Sequence, residues 1–342
     1  MAAAVTAAGA GAAVALERAA VRRARARPDP EREELLAERP GIETRVASFD
    51  GTELAVNEAG PERAPTLLFA HGFSIDMTAW HYQWRRFSKT YRCVLFDQRG
   101  HGRSAPAATG DYSIEALGRD LKAVLDAKAA RGPVVLVGHS MGGMGIMSFA
   151  GLFPDEFGHR IQAVVLANTA ASHIVQEFVG GLGIRMTSAV FHLAQRLARS
   201  PKTVYRLRAR ALGRGANLAF LVARATNFSP QASPTLVDYV VSVAARAPAA
   251  VWTDLLTSLV DLDVSEALAN ITVAALVVAG EVDRLTPPAT SRAIVERLPH
   301  GRLVVLTGAG HCAMLERHAE FDRILGGFLA EVLERRDQKA RV

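Results

Sequence analysis

Apolar positions along the chain follow two periods. ETRVASF (43–49) and TELAVNEA (52–59) flank the turn-forming pair Asp50-Gly51. Two such strand candidates around an Asp-Gly pair predict an antiparallel hairpin. Short, continuous apolar runs follow: TLLFA (66–70), RCVLFD (92–97), PVVLVG (133–138), AVVLAN (163–168), TVAALVVAG (272–280) and RLVVLTG (302–308). Such runs suit strands covered on both faces. They alternate with helical stretches, which predicts an α/β fold with a mostly parallel, doubly wound sheet and helices on both sides. Between 171 and 265 no strand-like run occurs. Helical periodicity, a GGLG entry at 180–183 and breakers at Pro201, Pro230 and Pro234 predict a helical segment inserted between two strands.

The start of the chain has a different texture. Residues 1–16, MAAAVTAAGAGAAVAL, are uncharged and rich in Ala and Gly. They are shorter and less apolar than the run of about 20 residues that spans a bilayer. A secretory signal carries its positive charges before the apolar run, whereas here the arginines come after it. A surface helix is the expectation, with a weak membrane association or an oligomer contact through residues 1–27 as the alternatives, in a cytoplasmic protein. RPDPEREELLAERPG (27–41) reads as a charged, proline-marked linker.

Composition narrows the class. With 342 residues, 49% hydrophobic and 22% charged, the chain can bury a sizeable core. Its two cysteines, Cys93 and Cys312, cannot build a disulfide framework and do not stand in metal-ligand spacing. The net charge is +6, with clusters at Arg18, Arg22, Arg23, Arg25 and Arg27 and along Arg196–Arg214. No zinc-finger spacing or aromatic RNP pattern accompanies this charge, so no nucleic-acid partner is expected. The run 196–214 reads as a solvated helix face.

The chemistry centres on Gly138-His139-Ser140-Met141-Gly142, at the end of an apolar run and the start of a helical one. A serine is a poor nucleophile until a base takes its proton. A tight strand-to-helix turn pushes its Oγ above the sheet, and glycines two before and two after relieve the crowding. The helix start supplies free N–H groups, so the Met141 N–H can donate to a developing oxyanion. A base follows the last run, at Gly308-Ala309-Gly310-His311. An acid follows the run before it, in GEVDRLTP (280–287), as Asp283, which could instead cap the helix after Pro287. The chain order Ser, Asp, His fits a sheet of this kind. The Phe73 N–H in HGFS (71–74) is the second candidate oxyanion donor. His71 there, with Asp97 and His101 in DQRGHGRS (97–104), reads as loop bracing. Trp80 and Trp252 have a core role or a place near the site.

HGFS, DQRGHGRS, GHSMGG, GEVDRLTP and GAGH together resemble the α/β-hydrolase fold family, over roughly residues 43–335. The resemblance implies a core of 43–170 and 266–335, a cap of 171–265, an N-terminal extension of 1–42 and a charged tail of 336–342. It implies Ser140 as nucleophile, Asp283 as acid, His311 as base, and Phe73 and Met141 as oxyanion donors, with no cofactor and no metal. Relatives with an aspartate nucleophile, the epoxide hydrolases and haloalkane dehalogenases, do not match Ser140. Hydrolysis of a small ester with an apolar acyl group is expected, with Phe178, Val179, Leu182, Ile184, Phe191, Leu193, Phe220, Leu221 and Val222 of the cap as candidates to line an apolar pocket. Haloperoxidation or perhydrolysis, carbon–carbon bond hydrolysis and acyl transfer on the same residues are the alternatives, and a non-catalytic binding protein is a further one.

Overall fold

A computed structural model describes residues 15–34, 41–130, 132–172, 200 and 216–339. The predicted hairpin forms β1 (Ile42–Ala47) and β2 (Glu53–Ala59), antiparallel in the register Ile42 opposite Glu58. The apolar runs become β3 (Thr66–Ala70), β4 (Arg92–Phe96), β5 (Val134–His139), β6 (Ile161–Ala167), β7 (Ala274–Gly280) and β8 (Gly301–Leu306). All eight belong to one sheet in the order β1-β2-β4-β3-β5-β6-β7-β8. β2 runs antiparallel to both neighbours, and every other pairing is parallel.

The order carries a functional consequence. From β3 the chain steps to β4 on one side, then returns past β3 to lay down β5 to β8 on the other. The reversal lies between β3 and β5, where the loops leaving their carboxyl ends diverge and leave a crevice. HGFS leaves β3 and Ser140 leaves β5, so both flank that crevice.

Successive strand residues face opposite ways, and the sheet therefore has a core on each side. Leu68, Val94, Leu136, Val164 and Val277 pack with α3 (Ile114–Lys128), α4 (Met141–Leu152) and α8 (Pro288–Arg297). Phe69, Leu95, Val137, Val165 and Val278 pack with α2 (His81–Phe87) and α10 (His318–Lys339). Trp80 belongs to this second core, fully buried with its ring 5.2 Å from that of Phe69.

Between β6 and β7 the described residues form three α-helices, α5 (Ala216–Asn227), α6 (Pro234–Ala244) and α7 (Ala249–Val260), and a short 3-10 helix, Glu266–Asn270. Phe220 is buried, Leu221 is partly buried and Val222 is exposed. The basic run 196–214 and Phe178, Val179, Leu182, Ile184, Phe191 and Leu193 lie outside the described residues.

The N-terminal extension is tied down where it is described. Residues 15–25 are helical (α1), and Val21 and Ala24 are buried in the same core as Phe220 and Val237. Arg25 makes two bonds of 2.7 Å to Asp238 and stacks over Phe220. Asp29 accepts from the Thr235 N–H and hydroxyl, capping α6, whose own Ser233 makes no capping bond. Glu34 pairs with Arg85 at 2.7 Å. The stretch read as a linker is thus fastened at both Asp29 and Glu34, because the orphan N–H groups of α6 and the cation on α2 attract its carboxylates. Among the described residues no helix is long and apolar enough to cross a membrane.

One buried charge cluster holds the sheet's first strands to its helices. Arg99, fully buried, donates from Nε and Nη2 to Asp120 at 2.7 Å each and from Nη1 to Asp50 at 3.1 Å. It also donates to the Asp111 carbonyl at 2.6 Å. The β1–β2 turn, the loop after β4 and α3 therefore meet at one guanidinium. Removing one partner of such a pair strands the others in a dry interior and costs about 3–5 kcal/mol. Arg99→Ala should lower the free energy of urea unfolding, followed by circular dichroism, by that amount. A loss under about 1 kcal/mol would contradict a structural role for the cluster.

Candidate active site

Ser140 lies between β5 and α4 with φ 50° and ψ −119°. A non-glycine residue in that region costs on the order of 1–3 kcal/mol and persists only where its surroundings enforce it. Here the neighbours do. The Ser140 N–H donates to the Ala167 carbonyl at 3.0 Å, and its own carbonyl accepts from the Gly143 N–H and the Thr169 hydroxyl at 2.9 and 2.7 Å. α4 runs so close to β3 that a side-chain carbon at Gly142 would collide with the backbone of Ala70 and His71. A Cβ at Gly72 would come within 2.6 Å of the His139 ring. The glycines around this turn are there for backbone clearance.

The turn delivers the Ser140 Oγ to His311. His311 Nε2 is 3.0 Å from Ser140 Oγ, and His311 Nδ1 is 2.8 Å from Asp283 Oδ2. His311 leaves the loop after β8, and Asp283 leaves the loop after β7. The two loops are stitched together by the Val282 N–H donating to the Ala309 carbonyl at 2.9 Å. Ser140 is 8% exposed, His311 4% and Asp283 4%. The three sequence-selected side chains thus form one hydrogen-bonded run at the carboxyl edge of the sheet.

The Asp283 carboxylate is fully occupied. Oδ1 accepts from the Leu285 and Thr286 N–H groups at 2.8 and 3.0 Å. Oδ2 accepts from the Thr286 hydroxyl, His311 Nδ1 and Asn168 Nδ2 at 2.8, 2.8 and 2.9 Å. Burial alone raises this carboxyl, but the facing His311 and the bonds from His311, Asn168 and Thr286 prevail, so it titrates below its ordinary range. An ionised Asp283 requires the proton on His311 Nδ1, which leaves the lone pair of Nε2 facing the serine.

Asn168 was not singled out from the sequence. It ends β6 with φ 47°, is fully buried, and also donates to the Gly310 carbonyl at 3.2 Å. Its only sequence signal is a polar residue closing an apolar run. Ser74, at φ 63°, is the other described non-glycine residue with positive φ, and it too borders the crevice.

The loop after β3 is braced by neutral histidines. The Gln98 N–H donates to His71 Nε2 at 3.0 Å, and the Ser74 N–H to His101 Nε2 at 3.3 Å. Each ring must therefore carry its proton on Nδ1, which donates to the Gly72 carbonyl at 2.8 Å and the Arg99 carbonyl at 3.1 Å respectively. Asp97 accepts from the Met77 and Arg103 N–H groups at 2.7 and 2.8 Å. His139 lies with its ring 4.9 Å from that of His311 and donates from Nε2 to the His311 carbonyl at 3.0 Å. Among the described residues, neither the Phe73 N–H nor the Met141 N–H meets a hydrogen-bond acceptor. The Phe73 ring lies between Trp252 of α7 and His101, at 4.7 and 6.1 Å. No group of three or more His, Cys, Asp or Glu that could hold a metal occurs among the described residues.

The chain matches the family described as "alpha/beta hydrolase fold" over residues 65–318. It is similar to 3-oxoadipate enol-lactonase 2 of Acinetobacter baylyi, 28% identical over 272 residues, covering 79% of this chain and 91% of that protein. Among solved structures it resembles the enol-lactonase of Burkholderia xenovorans, with a TM-score of 0.64 and 25% identity over 84% of this chain and all of the other. It also resembles Est816, described as an N-acyl homoserine lactone degrading enzyme, with a TM-score of 0.64 and 26% identity, covering 83% and 100% of the two chains.

Burial pushes His71 down to about 4, against a bond to Gly72 and the charge of Asp76. Burial and its neighbour His71 push His101 to about 3, and burial and the facing His311 push His139 to about 3. An unfolded histidine titrates near about 6.5. Below that pH the unfolded chain binds protons that the folded one refuses, so stability present above about 6.5 is lost as the pH falls toward the folded values. Each group contributes a loss of roughly 1.4 kcal/mol per pH unit within its window. The urea midpoint should therefore stay level, as far as these groups act, between about pH 7 and 8 and drop steeply from about 6.5 toward 4. A midpoint unchanged down to pH 4.5 would contradict the neutral-histidine assignment.

Proposed function

The chain belongs to the α/β-hydrolase fold family, and on that premise we propose that it is a serine esterase working through Ser140, His311 and Asp283. The observation that carries this reading is the hydrogen-bonded run Ser140 Oγ–His311 Nε2–Asp283 Oδ2, at 3.0 and 2.8 Å, on three loops at one sheet edge. The hydrogen-bond directions suit the reaction. Asp283 is an anion, His311 donates to it from Nδ1, and the free Nε2 accepts the serine proton.

Two half-reactions follow. His311 takes the Ser140 proton as Oγ attacks the acyl carbon of an ester. Negative charge then collects on the former carbonyl oxygen, where the N–H groups of Phe73 and Met141, free of other acceptors among the described residues, donate to it. The α4 dipole favours the same charge. The carbon–oxygen bond to the leaving alkoxide breaks, and His311 Nε2 returns the proton to it. Water then repeats the sequence on the acyl-enzyme, giving up one proton to His311 and releasing the acid while Ser140 regains its proton.

The segment between β6 and β7 acts as a cap over this site. Trp252 of α7 rests on Phe73, and Phe228, after α5, lies against Gly310. An apolar acyl group suits the Phe73 and Trp252 rings. Relatives named for lactones support extending this reading to cyclic esters.

Purified protein should hydrolyse p-nitrophenyl esters. Ser140→Ala and His311→Ala should each lower kcat by about 10⁴-fold or more, as should Asp283→Asn, which keeps the shape and inverts the tautomer. A lactone of matched acyl size should be opened by the same variants in the same order. Turnover that survives Ser140→Ala in folded protein would remove the serine mechanism.

A further inference from the structure

The loop that carries His311 is held by more than the sheet and the loop after β7. It leaves β8 through Gly308, at φ 66°, and ends where α9 (Ala313–Glu316) begins. The Gly310 and His311 carbonyls accept from Asn168 and His139, whereas the N–H groups of the residues on either side of His311 bond elsewhere. The Cys312 N–H donates to the Asn227 carbonyl at 2.8 Å, at the end of α5. The Gly310 N–H donates to the Glu316 carboxylate. That carboxylate also accepts the Ser229 N–H, at 3.0 Å to Oε2 and 3.3 Å to Oε1. Asn227 closes α5, and Ser229 lies in the link between α5 and α6. A Cβ at Gly310 would stand 2.6 Å from the Phe228 backbone, so the link and the loop are in direct contact.

Given the role proposed for His311, we infer that Glu316 is a positioning residue that locks the His311 loop to the α5–α6 link. One carboxylate accepts from two chain segments at once, which a single carbonyl oxygen or a hydroxyl does less well. Such bonds to an anion are roughly twice as strong as neutral ones. Among the described residues no cation forms an ion pair with Glu316; its carboxylate is met by the Gly310 and Ser229 N–H groups and the Ser229 side chain, with the Arg317 charge nearby. Burial pushes its carboxyl up, and the bonds from Gly310 and Ser229 oppose that push. The side chain is partly buried where it makes these contacts. His311 reaches Ser140 from a loop whose one neighbouring N–H is fixed by Glu316 and whose other is fixed by Asn227. The inserted helices therefore act on the base directly, through its backbone.

The test measures kcat and KM for a p-nitrophenyl ester, and the rate of serine phosphonylation by a fluorophosphonate, in wild type, Glu316→Gln and Glu316→Ala. All are assayed well below the unfolding temperature of each variant, with folding checked by circular dichroism. A misplaced catalytic group costs up to about 100-fold. Glu316→Ala should lose about that much in kcat, and Glu316→Gln, which keeps one acceptor oxygen, about tenfold. KM should stay within about twofold, and the phosphonylation rate should fall in step with kcat. If Glu316→Ala does not fold, Glu316→Gln alone carries the test. Kcat within about twofold of wild type in every folded variant, a change in KM alone, or a loss that merely tracks the unfolded fraction would overturn the assignment. Ser140→Ala runs alongside: if it retains turnover, the serine reading fails first, and if it is dead while the Glu316 variants are unimpaired, only the positioning role fails.

Discussion

The fold turns on one backbone conformation, the left-handed residue at Ser140. A serine at φ 50° is unfavourable by itself. It is sustained because β5 is flanked by β3 and β6, and because α4 lies down against β3 with no side chain at Gly142 to hold it off. Those same neighbours supply the loops that meet the serine. β3 leads into Phe73, and β6 ends at Asn168, which reaches both Asp283 and the Gly310 carbonyl. Parallel strands make this possible, since their carboxyl ends share one edge and five separate loops converge there without crossing the core.

Electrostatics at that edge are arranged by hydrogen-bond direction more than by charge. Backbone N–H groups aim at Nε2 of His71 and His101, which holds both rings neutral and Nδ1-protonated. Asp283 imposes the same tautomer on His311. The Asp283 anion in contact with His311 is placed behind it and takes five hydrogen bonds, so the ring is turned toward the serine.

Much of this was legible in the sequence, and the part that was not has a physical reason. Strands such as TLLFA and PVVLVG declare themselves through local apolar runs, and the Ser140, Asp283 and His311 motifs through glycines and strand ends at short range. Asn168, Arg99 with Asp120, Asp29 with Thr235, and Glu316 with Ser229 work through pairs far apart in the chain. A lone polar residue at the end of a strand or helix gives no local sign of its partner. The capping of α6 by Asp29 reaches across 206 positions, and the proline-marked stretch around it reads as a linker when taken alone. His71, Asp97 and His101 were legible as bracing because their partners lie within one pair of adjacent loops.

The most direct measurement is the covalent one. Folded protein treated with a fluorophosphonate and digested should carry a single phosphonyl adduct, located by mass spectrometry on Ser140, and formed much more slowly in Asp283→Asn. An adduct on another residue, or none on Ser140 in protein whose circular dichroism shows it folded, would contradict the account of this edge as a nucleophile presented to an oriented histidine.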